Sequence, residues 1–124
     1  MPRTRPQDLG LVTLRLPVGA YASLLHRITG VLLMAVVGWA VVLLRRSLQG
    51  PEGFGAVAHA VRGPWGHAIG PLATFVVAQH FYGGIRHLAH DAGWGFGRKR
   101  ARASAGAVMI CAVLTALGAL YLWP

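Results

Sequence analysis

Acidic residues are nearly missing from this chain: Asp8, Glu52 and Asp91 are the only three in 124 residues. None sits centrally in the first or last apolar run. Proton- or cation-coupled transport usually relies on such a group, so a small transporter or channel subunit is a poor reading. Cysteine is limited to Cys111. A lone cysteine rules out an internal disulfide and a cysteine-based metal or iron–sulfur site within this chain, and its position in an apolar run suggests a small buried residue. No Cys-x-x-Cys-His, dinucleotide-binding glycine fingerprint or metal-hydrolase motif occurs, so covalent haem attachment, nucleotide chemistry and metal-dependent hydrolysis are all unsupported. Charged residues make up 12% of the chain and hydrophobic ones 55%, too apolar a balance for an ordinary soluble domain. Internal repeats are absent as well, which argues against a transporter built from inverted halves.

What is present is hydrocarbon in three long runs: Ile28 to Leu44, Ile69 to Leu88 and Ala103 to Trp123. At a rise of ~1.5 Å per residue each covers most or all of a ~30 Å bilayer core. The expected fold is therefore all-α and integral to a membrane, with three transmembrane helices at approximately 21–46, 65–91 and 101–123 in one domain, 1–124. Trp65 and Trp123 stand at run boundaries, where an amphipathic ring prefers the headgroup zone. Short punctuated loops are expected at Gly50-Pro51-Glu52-Gly53, at Gly63-Pro64 and over the glycine-rich stretch 93–97. Proline near a helix start is tolerated, which places the start of the second helix between Pro64 and Pro71. The first run begins late, is long and has no small-residue cleavage pattern after it, so a cleavable signal peptide is not expected.

Basic residues fix the expected orientation. Arg3, Arg5, Arg15, Arg27, Arg86, Arg98, Lys99, Arg100 and Arg102 fall at one end of the layout, and Arg45, Arg46 and Arg62 at the other. Lys and Arg accumulate on the cytoplasmic side, giving a cytoplasmic N-terminus and an outside C-terminus. The net charge of +9 then reflects topology and lipid headgroups, not nucleic-acid binding, because the basic residues flank hydrophobic runs. Arginine outnumbers lysine eleven to one, which together with the lack of a long transit-like segment suggests a bacterial inner membrane.

Polar residues at membrane depth need a purpose. In the second run His80, Gly84, His87 and Asp91 recur at i, i+4, i+7 and i+11 and share one helix face. A porphyrin could lie along that face without covalent attachment, with the deeper His80 as axial iron ligand and Gly83 and Gly84 leaving room for the macrocycle. A histidine hydrogen-bonded to a neighbouring helix satisfies the same pattern. His87, His90 and Asp91 lie near the interface and suit a solvated or headgroup-contacting role. In the first helix Ser23, Arg27 and Gly30 share a face, with His26 beside them. Arg27 can pair with a carboxylate such as a haem propionate and Ser23 can donate to a carbonyl; a snorkelling arginine and a capping serine fit equally. Antiparallel packing brings this cluster and the end of the second helix to one membrane face.

Four segments carry a resemblance: Arg5-Pro6 with Leu14-Arg15-Leu16-Pro17; Ser23-x-x-His26-Arg27-Ile28-Thr29-Gly30; Pro51-Glu52-Gly53-Phe54; and His80-x-x-x-Gly84-Ile85-Arg86-His87-Leu88-x-x-Asp91-x-Gly93. In this order, across almost the whole chain, they resemble the cytochrome b membrane-anchor subunits of succinate dehydrogenase, the succinate:quinone oxidoreductase of complex II. The resemblance implies that His80 is one axial ligand of a haem b shared with a small membrane-anchor subunit, which supplies the second ligand. It implies Ser23 and Arg27 at a ubiquinone site beside the iron–sulfur subunit, His26 and Arg27 near the haem propionates, and His87 close to the haem. The flavoprotein and iron–sulfur subunits would oxidise succinate and pass electrons to ubiquinone, and this chain would anchor them in the lipid bilayer. A fumarate reductase anchor working in reverse and a haem-free structural anchor are the alternatives.

Overall fold

A computed structural model describes residues 17–124 of the chain; the expected motif parts Arg5-Pro6 and Leu14-Arg15-Leu16 lie outside the described residues. Four helices follow in order: α1 (Val18–Ser47), α2 (Pro51–Arg62), α3 (Pro64–Asp91) and α4 (Arg98–Leu122). The three long helices match the expected segments to within a few residues. The connection expected as a loop after the first of them is instead the helix α2. Its start explains why: Gly50 at φ 119° turns the chain, Pro51 occupies the first turn, where its missing N–H is not needed, and Glu52 meets the positive end of the helix dipole. Gly63 and Pro64 repeat the glycine–proline start for α3.

The end of α3 is set by Gly93, which adopts φ 87°. Its N–H donates to the His90 carbonyl at 2.9 Å and the Trp94 N–H to the Ala89 carbonyl at 2.9 Å, a Schellman ending that satisfies carbonyls left over by the last turn. The last turn of α3, with His87 to Asp91, is thereby held in place. Gly97 in extended conformation then starts α4.

The helix bundle has a narrow core of small residues. On α4 Ala105, Val108 and Ala112 are buried at i, i+3 and i+7; on α3 Gly66, Gly70, Val76, Ala78, Gln79 and Gly83; on α1 Ala22 and Thr29. Small side chains allow helix backbones to approach closely, which is how helices associate when the surrounding solvent is itself apolar. Large apolar residues point outward instead, among them Val31, Met34, Leu72, Leu88 and Tyr121. By length and composition α1 and α4 are each apolar enough to cross a membrane. The 28-residue α3 is long enough too, but Gln79, His80, Arg86, His87, His90 and Asp91 dilute its hydrocarbon. Cys111, expected to be buried, is exposed, because it lies off the inward stripe of α4.

Polar bonds tie the bundle together at both ends. Arg86 Nε donates to Ser104 Oγ at 3.2 Å and Nη2 to the Ala101 carbonyl at 3.4 Å, while Tyr82 Oη and Thr115 Oγ1 lie 3.2 Å apart. At the opposite end the Trp123 indole N–H donates to the Val61 carbonyl at 2.9 Å, and its ring fills the space that Gly70 leaves by having no side chain. Gly70→Ala should therefore overpack this end and destabilise the protein by about 1–3 kcal/mol, whereas Gly106→Ala, with nothing within 4 Å of the added carbon, should not. The thermal midpoint of the detergent-solubilised protein checks this; equal midpoints for the two variants would contradict the packing role of Gly70.

Candidate functional site

Antiparallel packing of α1 on α3 makes the site. His26 of α1 and His80 of α3 stack with ring centroids 4.3 Å apart and an interplanar angle of 9°, and His87 lies 4.8 Å from His26 at 52°. Three imidazoles separated by up to 61 positions in sequence are thus one cluster. Close approach requires glycine on both helices. A Cβ at Gly83 would lie 2.8 Å from His26 Cδ2, and a Cβ at Gly30 would lie 3.0 Å from His80 Cε1, closer than two carbon atoms pack without displacement.

The ring tautomer of His80 follows from its partner. His80 Nδ1 lies 3.2 Å from the main-chain carbonyl of His26, and a carbonyl only accepts, so Nδ1 carries the hydrogen and the neutral ring keeps its lone pair on Nε2. Metal-ligating histidines are commonly held in this way, with the second ring nitrogen donating to a main-chain carbonyl. Thr29 Oγ1 reaches the same carbonyl at 3.1 Å as well as the Leu25 carbonyl at 2.7 Å, and Thr29 is buried. The residues present fit a haem iron that takes one axial nitrogen from this chain. They do not form a metal-ion cage: among the described residues no three His, Cys, Asp or Glu side chains are grouped to hold a metal ion, and stacked rings offer π faces to each other, not converging lone pairs. His26 Nε2 is buried without a hydrogen-bond partner among the described residues.

Other expected site residues separate into two sets. Ser23 is half-buried and Arg27 exposed, one turn apart on α1 at the same end of the bundle as His87 and Asp91. His90 does not join the imidazole cluster; it packs 6.0 Å from Phe96 and lines a cleft of about 330 Å³ between α3 and α4 with Tyr82, Arg86, Trp94 and Ser104. Asp91 is exposed at the end of α3. Gly83, expected to leave room for a macrocycle, is buried under the His26 ring, and Gly84 would place a Cβ 3.7 Å from His26 Nε2. The space at Gly83 serves the neighbouring helix because the two backbones cross there.

Sequence reasoning used Arg86 only for orientation and within a motif and foresaw no contact for it; it binds α4 and lies 3.5 Å from the position of a Cβ on Gly19 of α1. It also passed over Gln79, which is fully buried with both amide atoms unpartnered among the described residues. The polar residues that crowd α3 from Gln79 to Asp91 were the visible signal, but only contacts assign each one a task.

Residues 1–120 match the sequence family described as the succinate dehydrogenase/fumarate reductase transmembrane subunit. A relative from Paracoccus denitrificans, named succinate dehydrogenase cytochrome b556 subunit, is 31% identical over 113 residues, a span covering 91% of this chain and 87% of the relative. With its long apolar helices and its histidine-bearing third helix, the chain belongs to the succinate dehydrogenase/fumarate reductase transmembrane subunits, as a succinate dehydrogenase cytochrome b subunit.

Proposed function

We propose that this chain is the haem b-binding anchor of a succinate dehydrogenase, holding the flavoprotein and iron–sulfur subunits at a bacterial inner membrane and forming part of a ubiquinone reduction site. The observation that carries the reading is the bond from His80 Nδ1 to the His26 carbonyl at 3.2 Å, which directs basicity to Nε2 of a half-buried imidazole. His80 would supply one axial ligand and a small anchor subunit the other. The name of the Paracoccus denitrificans relative, a cytochrome b556 subunit, supports the haem, and its succinate dehydrogenase assignment favours this direction over a fumarate reductase anchor.

In this reading α1, α3 and α4 each cross the bilayer. The end bearing Arg27, Arg86, Arg98, Lys99, Arg100 and Arg102 faces the cytoplasm, and the end bearing Arg45, Arg46 and Arg62 faces outward, because cytoplasmic ends collect Lys and Arg. The α2 helix then lies at the outer surface, and the C-terminus is outside.

A bound haem supplies one-electron redox chemistry. Everything else falls to the side chains. His80 holds its ring by the main-chain bond, His26 stacks on that ring, and His87 packs against His26. Arg27 offers a positive charge, and Ser23 a hydroxyl donor, to a quinone carbonyl oxygen that gains negative charge as electrons arrive from the iron–sulfur subunit. The positive end of the α1 helix dipole lies at the same end of the bundle. Two electrons and two protons complete the quinol, so the site must admit protons from the cytoplasmic side, where Arg27 is exposed.

Two measurements test the assignment. A dithionite-reduced minus oxidised spectrum of the complex purified through this chain should show haem b bands that are lost or shifted in His80→Ala; bands unchanged in that variant would remove His80 as ligand. Arg27→Leu should slow quinone reduction by about 10- to 100-fold, the equivalent of one charge-assisted hydrogen bond of about 1.5–3 kcal/mol, while electron transfer from succinate to a soluble artificial acceptor stays near wild type. Equal loss of both activities would count against Arg27 as a quinone-site residue.

A further inference from the structure

The third helix presents His80 to α1 at one spot, where α1 has a glycine and a main-chain carbonyl four residues earlier. A Cβ added at Gly30 would stand 3.0 Å from His80 Cε1 and 3.3 Å from Nδ1. The Nδ1–H bond goes to the carbonyl of His26, the residue one turn before Gly30. On its face the His80 ring is backed by the His26 imidazole at 4.3 Å, and that imidazole is in turn pressed against the bare backbone of Gly83. The two glycines are reciprocal: each helix omits a side chain where the other places a histidine.

We propose that Gly30, with the His26 carbonyl, forms a seat that sets the orientation of the His80 imidazole, making Gly30 a positioning residue for the nitrogen through which this chain holds haem. The inference rests on the haem reading above and adds a determinant of ligand geometry on a different helix. The physical argument is steric. A methyl group at position 30 is closer to the ring than carbon atoms pack, and the ring has no retreat toward His26, which is itself confined by Gly83. Relief requires rotation of the His80 side chain or separation of α1 from α3. Rotation lengthens the Nδ1–H bond, frees the ring to turn and changes the direction of the Nε2 lone pair. Orientation of an axial imidazole by such a bond is a known lever on haem electronic structure.

The seat is local. Gly38, two turns further along α1, has nothing within 4 Å of an added Cβ and is the natural comparison. Thr29 is part of the same arrangement, since its hydroxyl lies 3.1 Å from the His26 carbonyl that His80 uses.

The test is made on the whole complex, purified from membranes through this chain, comparing wild type, Gly30→Ala, Gly30→Val and Gly38→Ala. Low-temperature electron paramagnetic resonance of the oxidised complex reports axial imidazole orientation, a redox titration reports the potential, and the pyridine haemochrome assay reports haem per complex. Gly30→Ala should shift the low-spin haem signal and the potential, Gly30→Val should lose haem, and Gly38→Ala should match wild type on all three. Wild-type signal, potential and haem content in Gly30→Ala would overturn the proposal. Absence of haem b from the wild-type complex would instead overturn the haem reading itself, so the two failures are distinct. If Gly30→Ala does not assemble, the double variant with His80→Ala decides. With the imidazole removed the clash is gone, and the second substitution should cost no further assembly. A full additional loss would assign Gly30 to helix packing alone and sink the proposal.

Discussion

One hydrogen bond between helices, from the His80 ring to the His26 main chain, sets the conditions that the rest of the structure has to meet. A side chain reaches another helix's carbonyl only where the two backbones run close, and here they do so because glycines stand at positions 30 and 83. Closeness then stacks His26 on His80 and brings His87 within 4.8 Å of His26. Register follows as well. With Gly30 opposite His80 and Gly83 opposite His26, the start of α1 and the end of α3 share one end of the bundle, and the Schellman ending at Gly93 stops α3 before it runs past that end.

The remaining polar contacts follow membrane logic. Without a hydrophobic drive between helices in lipid, association depends on close packing and a few interhelical hydrogen bonds. Small residues fill the interior of the bundle, and further polar fastenings, Arg86 to Ser104 and Ala101 and Trp123 to Val61, lie toward its ends. Arg86 illustrates the division of labour. It stands next to His87 in sequence, yet it points across to α4 and leaves the imidazole cluster to the other face of α3. An arginine and a histidine in adjacent positions are about a hundred degrees apart around the helix, so one stretch of sequence serves two interfaces.

The division also separates the imidazole cluster, set against α1, from the cleft between α3 and α4. His90, though it belongs to the same histidine-rich stretch, falls in the α3–α4 cleft beside Trp94. Ser23 and Arg27 stand on α1 at the end where the imidazoles gather, and the proposed quinone site rests on that placement. Family membership supplies the setting for this arrangement, and the geometry explains which side chains can take part.

The sequence alone determined the class of solvent and the long helices, because hydrocarbon runs of bilayer length and flanking arginines are properties of contiguous residues that need no partner to be read. It also singled out Ser23, His26, Arg27, His80 and His87 as candidates, since polar groups among apolar ones stand out by contrast. It did not reveal α2: Gly50-Pro51-Glu52 reads as a turn and also starts a helix, and only the chain that follows decides. Nor could it assign the glycines. Gly83 and Gly84 looked alike in sequence, but the crossing of α1 gives Gly83 to His26, and Gly30 gains its meaning only from a ring 50 residues away. Cys111 turned outward for the same reason. Helical periodicity says which residues share a face, while which face is covered, and by what, is fixed by packing between distant segments, and that was left to the tertiary structure.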